Sequence, residues 1–131
     1  MQDFTQLKVW QKAHHFTVNL YKMTKGFPPD EKFGLTNQIR RASVSIESNI
    51  SEGCGRNSDK EFSRFLNIAQ GSAYEVRCQI FIARDLGYLD SNQSQFLTNK
   101  INEISRMINS LNQKLTANRE HLRLVNIGSD C

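Results

Sequence analysis

Apolar residues recur along this chain at steps of three and four. Val9, Ala13, Phe16, Leu20, Met23 and Phe27 are spaced 4, 3, 4, 3, 4. At about 100° per residue that spacing gathers them on one helical face. A second row, Leu7, Trp10, His14, Thr17 and Tyr21, lies beside it. Two adjacent rows make a wide buried face, suited to a helix with neighbours on two sides. The predicted helix runs from Phe4 to Lys25, and Gly26 with Pro28-Pro29 ends it.

The same reading continues downstream. Acidic Asp30 and Glu31 open a predicted second helix that reaches Gly53, with Leu35, Ile39, Ala42, Ile46 and Ile50 as its core row. Ser58 and Glu61 have the S-x-x-E spacing of a capping box. After them Phe62, Leu66, Ala69, Ala73, Val76, Ile80 and Ala83 step 4, 3, 4, 3, 4, 3 until Gly87 stops the third helix. A fourth begins near Asp90, with Gln93 three residues on. Its row, Leu97, Ile101, Ile104, Ile108, Leu111 and Leu115, is the cleanest in the chain. The pattern is lost from Ala117 onwards.

Four long amphipathic helices joined by short turns predict an all-α fold, an antiparallel up-down-up-down four-helix bundle. Seams averaging 3.5 residues favour shallow left-handed crossings. The bundle is expected over residues 1–118, with 119–131 as a flexible C-terminal tail.

Composition supports this without adding chemistry. The 131 residues are 38% hydrophobic and 23% charged, enough apolar material for one core. No apolar run approaches the roughly 18 residues of a membrane span. The N-terminal MQDFTQLK lacks a basic start followed by an apolar block, so no signal peptide is expected. Cys54, Cys78 and Cys131 show no CxxC spacing and read as reduced thiols of a cytoplasmic protein.

The stretch QIRRASVSIESNISEGCGR, Gln38 to Arg56, resembles a reactive loop at first glance. It lacks the G-x-x-x-x-G-K-[ST] frame of a phosphate loop and the G-x-S-x-G context of a nucleophile. On a helix its small residues allow close approach, and Asn49 specifies a contact because burying it unpartnered costs about 1–3 kcal/mol. These polar positions, Arg41, Ser45, Ser48, Asn49, Glu52 and Arg56, are the expected oligomer interface. No Glu is followed by His three residues later, and His14 and His15 are adjacent. A di-iron or chelating site is therefore not expected, nor any catalytic residue, metal or cofactor.

The net charge is +4. Residues 1–27 hold Lys8, Lys12, Lys22 and Lys25 against Asp3, a balance of 4 − 1 = +3. Lys8, Lys12, His15, Asn19 and Lys22 step 4, 3, 4, 3 and share one face. That face, with Lys25, is the candidate nucleic-acid-binding surface. Lysines there meet phosphates rather than base edges, and a symmetric oligomer multiplies the field.

Three groups of residues carry a family resemblance. The first is Leu7-Lys8-Val9-Trp10-Gln11, Phe27-Pro28 and Glu31-Lys32-Phe33-Gly34-Leu35-Thr36. The second is Gln38-Ile39-Arg40-Arg41-Ala42, Ser45-Ile46, Ser48-Asn49-Ile50, Glu52-Gly53 and Gly55-Arg56. The third is Phe62, Phe65-Leu66, Ala69, Gly71-Ser72, Glu75 and Leu86-Gly87-Tyr88-Leu89. Over about residues 4–115 the chain resembles the small four-helix-bundle proteins encoded in intervening sequences of bacterial 23S ribosomal RNA genes. It departs from them at Glu47, often proline there, at Ser51, often alanine, and at Ala73 and Val76, often leucines. The resemblance implies a cytoplasmic homopentamer. Similar proteins are accessory factors of diversity-generating retroelements, where a basic pentamer engages nucleic acid and a reverse transcriptase.

The expected function is a non-enzymatic homo-oligomeric scaffold that binds RNA or DNA backbones through its first helix. The alternative is a protein-interaction adaptor without nucleic-acid affinity, and an enzyme ranks third.

Overall fold

The computed structural model describes the backbone of residues 3–129 and the side chains of residues 3–117. Its helices are α1 (Lys8–Thr24), α2 (Leu35–Cys54), α3 (Asp59–Asp85) and α4 (Ser91–Ser129). No strand occurs among the described residues. The fold class is all-α, as the periodicity requires.

Two helix starts lie later than the sequence pattern places them, each for a local reason. Asp3 accepts a hydrogen bond from the Thr5 amide at 3.0 Å and caps a short 3-10 turn over Phe4–Gln6. Leu7 is extended, so the regular helix begins only at Lys8. The Phe4 ring then sits edge-on to Trp10, with centroids 5.1 Å apart. Before α2, Pro29–Glu31 forms another 3-10 turn. Glu31 Oε1 accepts from the Leu35 amide at 3.1 Å, supplying the cap that Gly34 cannot. Glu31 thus serves the start of α2 from outside it.

The other helix ends follow the sequence. Ser58 Oγ accepts from the Glu61 amide at 3.1 Å, while Glu61 turns to Arg64 at 3.0 Å. At α4 the box is reciprocal: Asp90 Oδ1 accepts from the Gln93 amide at 2.7 Å, and Gln93 Oε1 accepts from the Asp90 amide at 3.0 Å. Gly87, at φ 80°, ends α3. The Tyr88 amide reaches the Ala83 carbonyl and the Gly87 amide that of Arg84, the paired bonds of a Schellman turn.

Each helix packs on two others: α1 on α2 and α4, and α3 on α2 and α4. Partner numbers fall along one helix as they rise along its neighbour. Arg40 meets Thr24, Ser43 meets Thr17, and Glu47 meets His14. This fits an up-and-down order. Ile39, Ile50, Leu66, Ile80 and Leu97 are fully buried at the centre, each contributing roughly 1.5–3 kcal/mol of burial. Ala73 and Val76 are fully buried too.

Polar residues fix the seams. Thr17 and Ser43, both buried, join their hydroxyls at 2.7 Å across α1 and α2. The Ser45 and Ser72 hydroxyls lie 2.9 Å apart across α2 and α3. Gln70 donates to the Ser105 carbonyl at 3.0 Å and accepts from the Ser105 hydroxyl at 2.6 Å across α3 and α4. At the α2/α3 turn Gly53 brings the backbones together. A Cβ there would lie 2.8 Å from Phe65 Cβ and 2.9 Å from Phe62 Cδ1. Helix α4 continues through Ser129 although its apolar seam stops near Leu115. The side chains of the expected tail, 119–131, lie outside the described residues.

Candidate nucleic-acid interface

The five basic positions singled out on the first helix are all exposed. Lys8, Lys12, His15 and Lys22 lie on α1, and Lys25 is its C-cap residue. At 100° per residue Lys25 is turned about 100° away from Lys8. It therefore stands apart from the row formed by the other four.

That row is one wall of a groove. Lys12, His15 and Asn19 line a recess of about 280 Å³ with Phe96, Lys100 and Glu103, floored by Phe16 and Ile104. Further along, Lys8 lines a second recess of about 220 Å³ with Leu7, Met107, Ser110, Leu111 and Lys114. Lys100 and Lys114 are the contribution from α4 that sequence reasoning missed. Their signal was present: Phe96, Lys100, Glu103, Met107, Ser110 and Lys114 step 4, 3, 4, 3, 4 beside the apolar row. The small +1 balance of residues 89–116 concealed it.

One acid interrupts the basic walls. Lys12 Nζ lies 3.0 Å from Glu103 Oε1 across the groove. This hydrogen bond, with the charges of Lys12, Lys100 and Arg106, holds the Glu103 carboxyl below its usual range against a smaller opposing effect of burial. The Lys100 ammonium stands 5.7 Å from the centroid of the Phe96 ring. Four lysines against one carboxylate leave the two recesses with 4 − 1 = +3.

Of the expected oligomer-interface residues, Arg41, Ser45, Ser48, Asn49 and Glu52 lie on α2 and Arg56 just beyond its end. Ser45 is engaged with Ser72, and Asn49 donates to the Ser45 carbonyl at 2.8 Å and to its hydroxyl at 3.1 Å. Glu52 and Arg56 pair at 3.0 Å across the end of α2, and the Arg56 guanidinium lies 4.8 Å from the Phe65 ring centroid. Ser45 and Asn49 thus have partners in their own chain, while Arg41 and Ser48 are exposed. Ile68 and Ile82 on α3 and its C-cap residue Leu86 are exposed. Gln79, only 5% exposed, has an Oε1 atom without a hydrogen-bond partner.

Residues 5–110 match the family described as 23S rRNA-intervening sequence protein. The chain belongs to this family. A crystal structure of a protein of unknown function from the S23 ribosomal protein family of Bacteroides thetaiotaomicron VPI-5482 is similar, with 27% identity and a TM-score of 0.75. The alignment covers 80% of this chain and 95% of that one. No curated protein matches the chain. Glu47 Oε2 lies 2.9 Å from His14 Nδ1, a contact that ties α2 to α1. Helix α2 runs unbroken through Glu47.

Among the described residues no group of three or more His, Cys, Asp or Glu is placed to hold a metal. No helix among them is long and apolar enough to cross a membrane.

Proposed function

We propose that this protein is a homo-oligomeric helical scaffold that binds RNA or DNA backbones along the α1/α4 groove. The observation that carries this reading is the convergence of Lys8 and Lys12 from α1 with Lys100 and Lys114 from α4 on two adjoining recesses. Ammonium groups set along a groove match a line of phosphates, and affinity comes from counterion release. Such binding follows the backbone and reads no sequence. Lys22 extends the row on α1, while Lys25 stands to one side of it. Membership of a family linked to ribosomal RNA genes is consistent with a nucleic-acid partner and a cytoplasmic setting.

The outer edge of α2 and α3 is the proposed contact between subunits, pentameric as the family resemblance implies. The exposed Ile68, Ile82 and Leu86 form a stripe broken by Ser72 and Glu75, with the exposed Arg41 and Ser48 on α2. The same stripe supports the second reading, an adaptor that holds a protein partner such as a reverse transcriptase and ignores nucleic acid.

Gel retardation of RNA separates the two. The scaffold reading expects retardation that weakens with salt and is lost when Lys8, Lys12 and Lys22 become Glu. Retardation unchanged in that triple variant removes the groove as the site, and no retardation at low salt favours the adaptor.

A further inference from the structure

The larger recess of the α1/α4 groove has a composition that phosphate binding does not call for. Its floor is the apolar pair Phe16 and Ile104, and Phe96 stands at its edge with 39% of its surface exposed. Its rim carries Lys12, His15, Lys100 and Glu103, and the half-buried Asn19. No hydrogen bond among the described residues engages the side-chain amide of Asn19. A surface that only tracks phosphates needs no aromatic ring and no apolar floor.

We propose that this recess holds one unpaired nucleobase, so that the groove binds single-stranded rather than duplex nucleic acid. The inference rests on the backbone-binding reading above and names its substrate. A base has a π-face to lie against Phe96, and stacking of this kind is tolerant of sequence. The Asn19 amide offers both donors and an acceptor to a base edge, and the Glu103 carboxylate offers an acceptor. Lys12 and Lys100 flank the opening, where the neighbouring phosphates of an extended strand would run. The Lys100 ammonium now above the Phe96 ring sits on a flexible stem that can move to a phosphate. At about 280 Å³ the recess is just under the roughly 300–1,000 Å³ of pockets for drug-sized molecules. That size suits one base, not a stacked pair. In a duplex the bases are stacked and paired, so none reaches such a recess without being drawn out.

The test compares two DNA strands of equal charge: eight thymidines, and the same backbone with every base replaced by hydrogen. Fluorescence anisotropy on the full chain reads both affinities. The base-bearing strand should bind about tenfold more tightly, the size expected of a stacked base. Phe96→Ala should remove that difference, and Phe96→Tyr should keep it. Circular dichroism melts check that each variant is folded. Equal affinity for the two strands, or a difference that survives Phe96→Ala, overturns the base pocket and leaves backbone binding standing. If neither strand binds, both readings fall.

Discussion

Lys12 and Glu103 face each other across the α1/α4 groove at 3.0 Å, and their side chains are 45% and 35% exposed. An ion pair this open contributes at most about 1 kcal/mol to stability, less in salt. Its larger effect is electrostatic: it places the single acid of the two recesses in the path proposed for phosphates. Replacing it, Glu103→Gln, should raise RNA affinity about three- to tenfold at low salt. Anisotropy titration checks this, and an unchanged or weaker affinity would place the polyanion elsewhere.

The same pair makes a prediction about pH. The Glu103 carboxyl is held low in the folded chain, chiefly by its hydrogen bond to Lys12, so the unfolded chain takes up the proton first. The contribution is complete above the unfolded carboxylate range and is lost as pH falls through the folded value. Wild type should therefore melt slightly above Glu103→Gln at pH 7, and the gap should close as pH falls below the usual carboxylate range. A gap that stays unchanged in acid would assign the effect to packing.

Gly53→Ala should destabilise the bundle by about 1–3 kcal/mol. The new Cβ would meet Phe65 Cβ at 2.8 Å and Phe62 Cδ1 at 2.9 Å, and the Phe65 Cβ cannot swing aside without its helix. Urea denaturation monitored by circular dichroism measures the loss. An equally stable variant would mean that the α2/α3 turn relaxes freely.

Adjacent arginines should behave differently. Arg40 Nε donates to Thr24 Oγ1 at 2.8 Å, and its NH2 group donates to the Tyr21 carbonyl at 3.1 Å. Its guanidinium also covers the Tyr21 ring at 4.5 Å. It thereby satisfies the C-terminal end of α1 from α2. Arg40→Ala should lower stability by about 1–3 kcal/mol, the range for hydrogen bonds from a charged group. The exposed Arg41 should be within about 0.5 kcal/mol of neutral in the isolated subunit. Thermal melts of the two variants check the contrast, and equal losses would contradict it.

This pair shows what the sequence makes legible. Arg40 and Arg41 are indistinguishable as letters, and sequence reasoning chose Arg41 for an interface and gave Arg40 no role. Only the crossing of α2 over the end of α1 decides which one reaches a carbonyl. The seams were readable because burial repeats: Leu97, Ile101, Ile104 and Ile108 each repeat the same environment. The starts of α1 and α2 were less so, since an Asp3 or Glu31 side chain that captures a single amide overrides the local pattern. On the groove, the α1 wall stood out because Lys8, Lys12 and Lys22 have little acid near them. The α4 wall did not, because Lys100 and Lys114 share their segment with Asp90 and Glu103 and matter only where α4 lies against α1.

The two described cysteines should differ in reactivity. Cys78 is exposed and Cys54 buried, and burial pushes the Cys54 thiol up, away from the reactive thiolate. In a Cys131→Ser chain, a disulfide reagent should label Cys78 at least about tenfold faster than Cys54. Comparable rates in folded protein would show that the Cys54 end of α2 opens readily.

The central claim is that one polyanion surface is built jointly from α1 and α4. The slope of log affinity against log salt for single-stranded RNA tests it most directly. Neutralising the α4 wall with Lys100→Gln and Lys114→Gln should shrink that slope by about 1.4, at roughly 0.7 for each phosphate no longer neutralised. A slope identical to that of wild type would contradict the account.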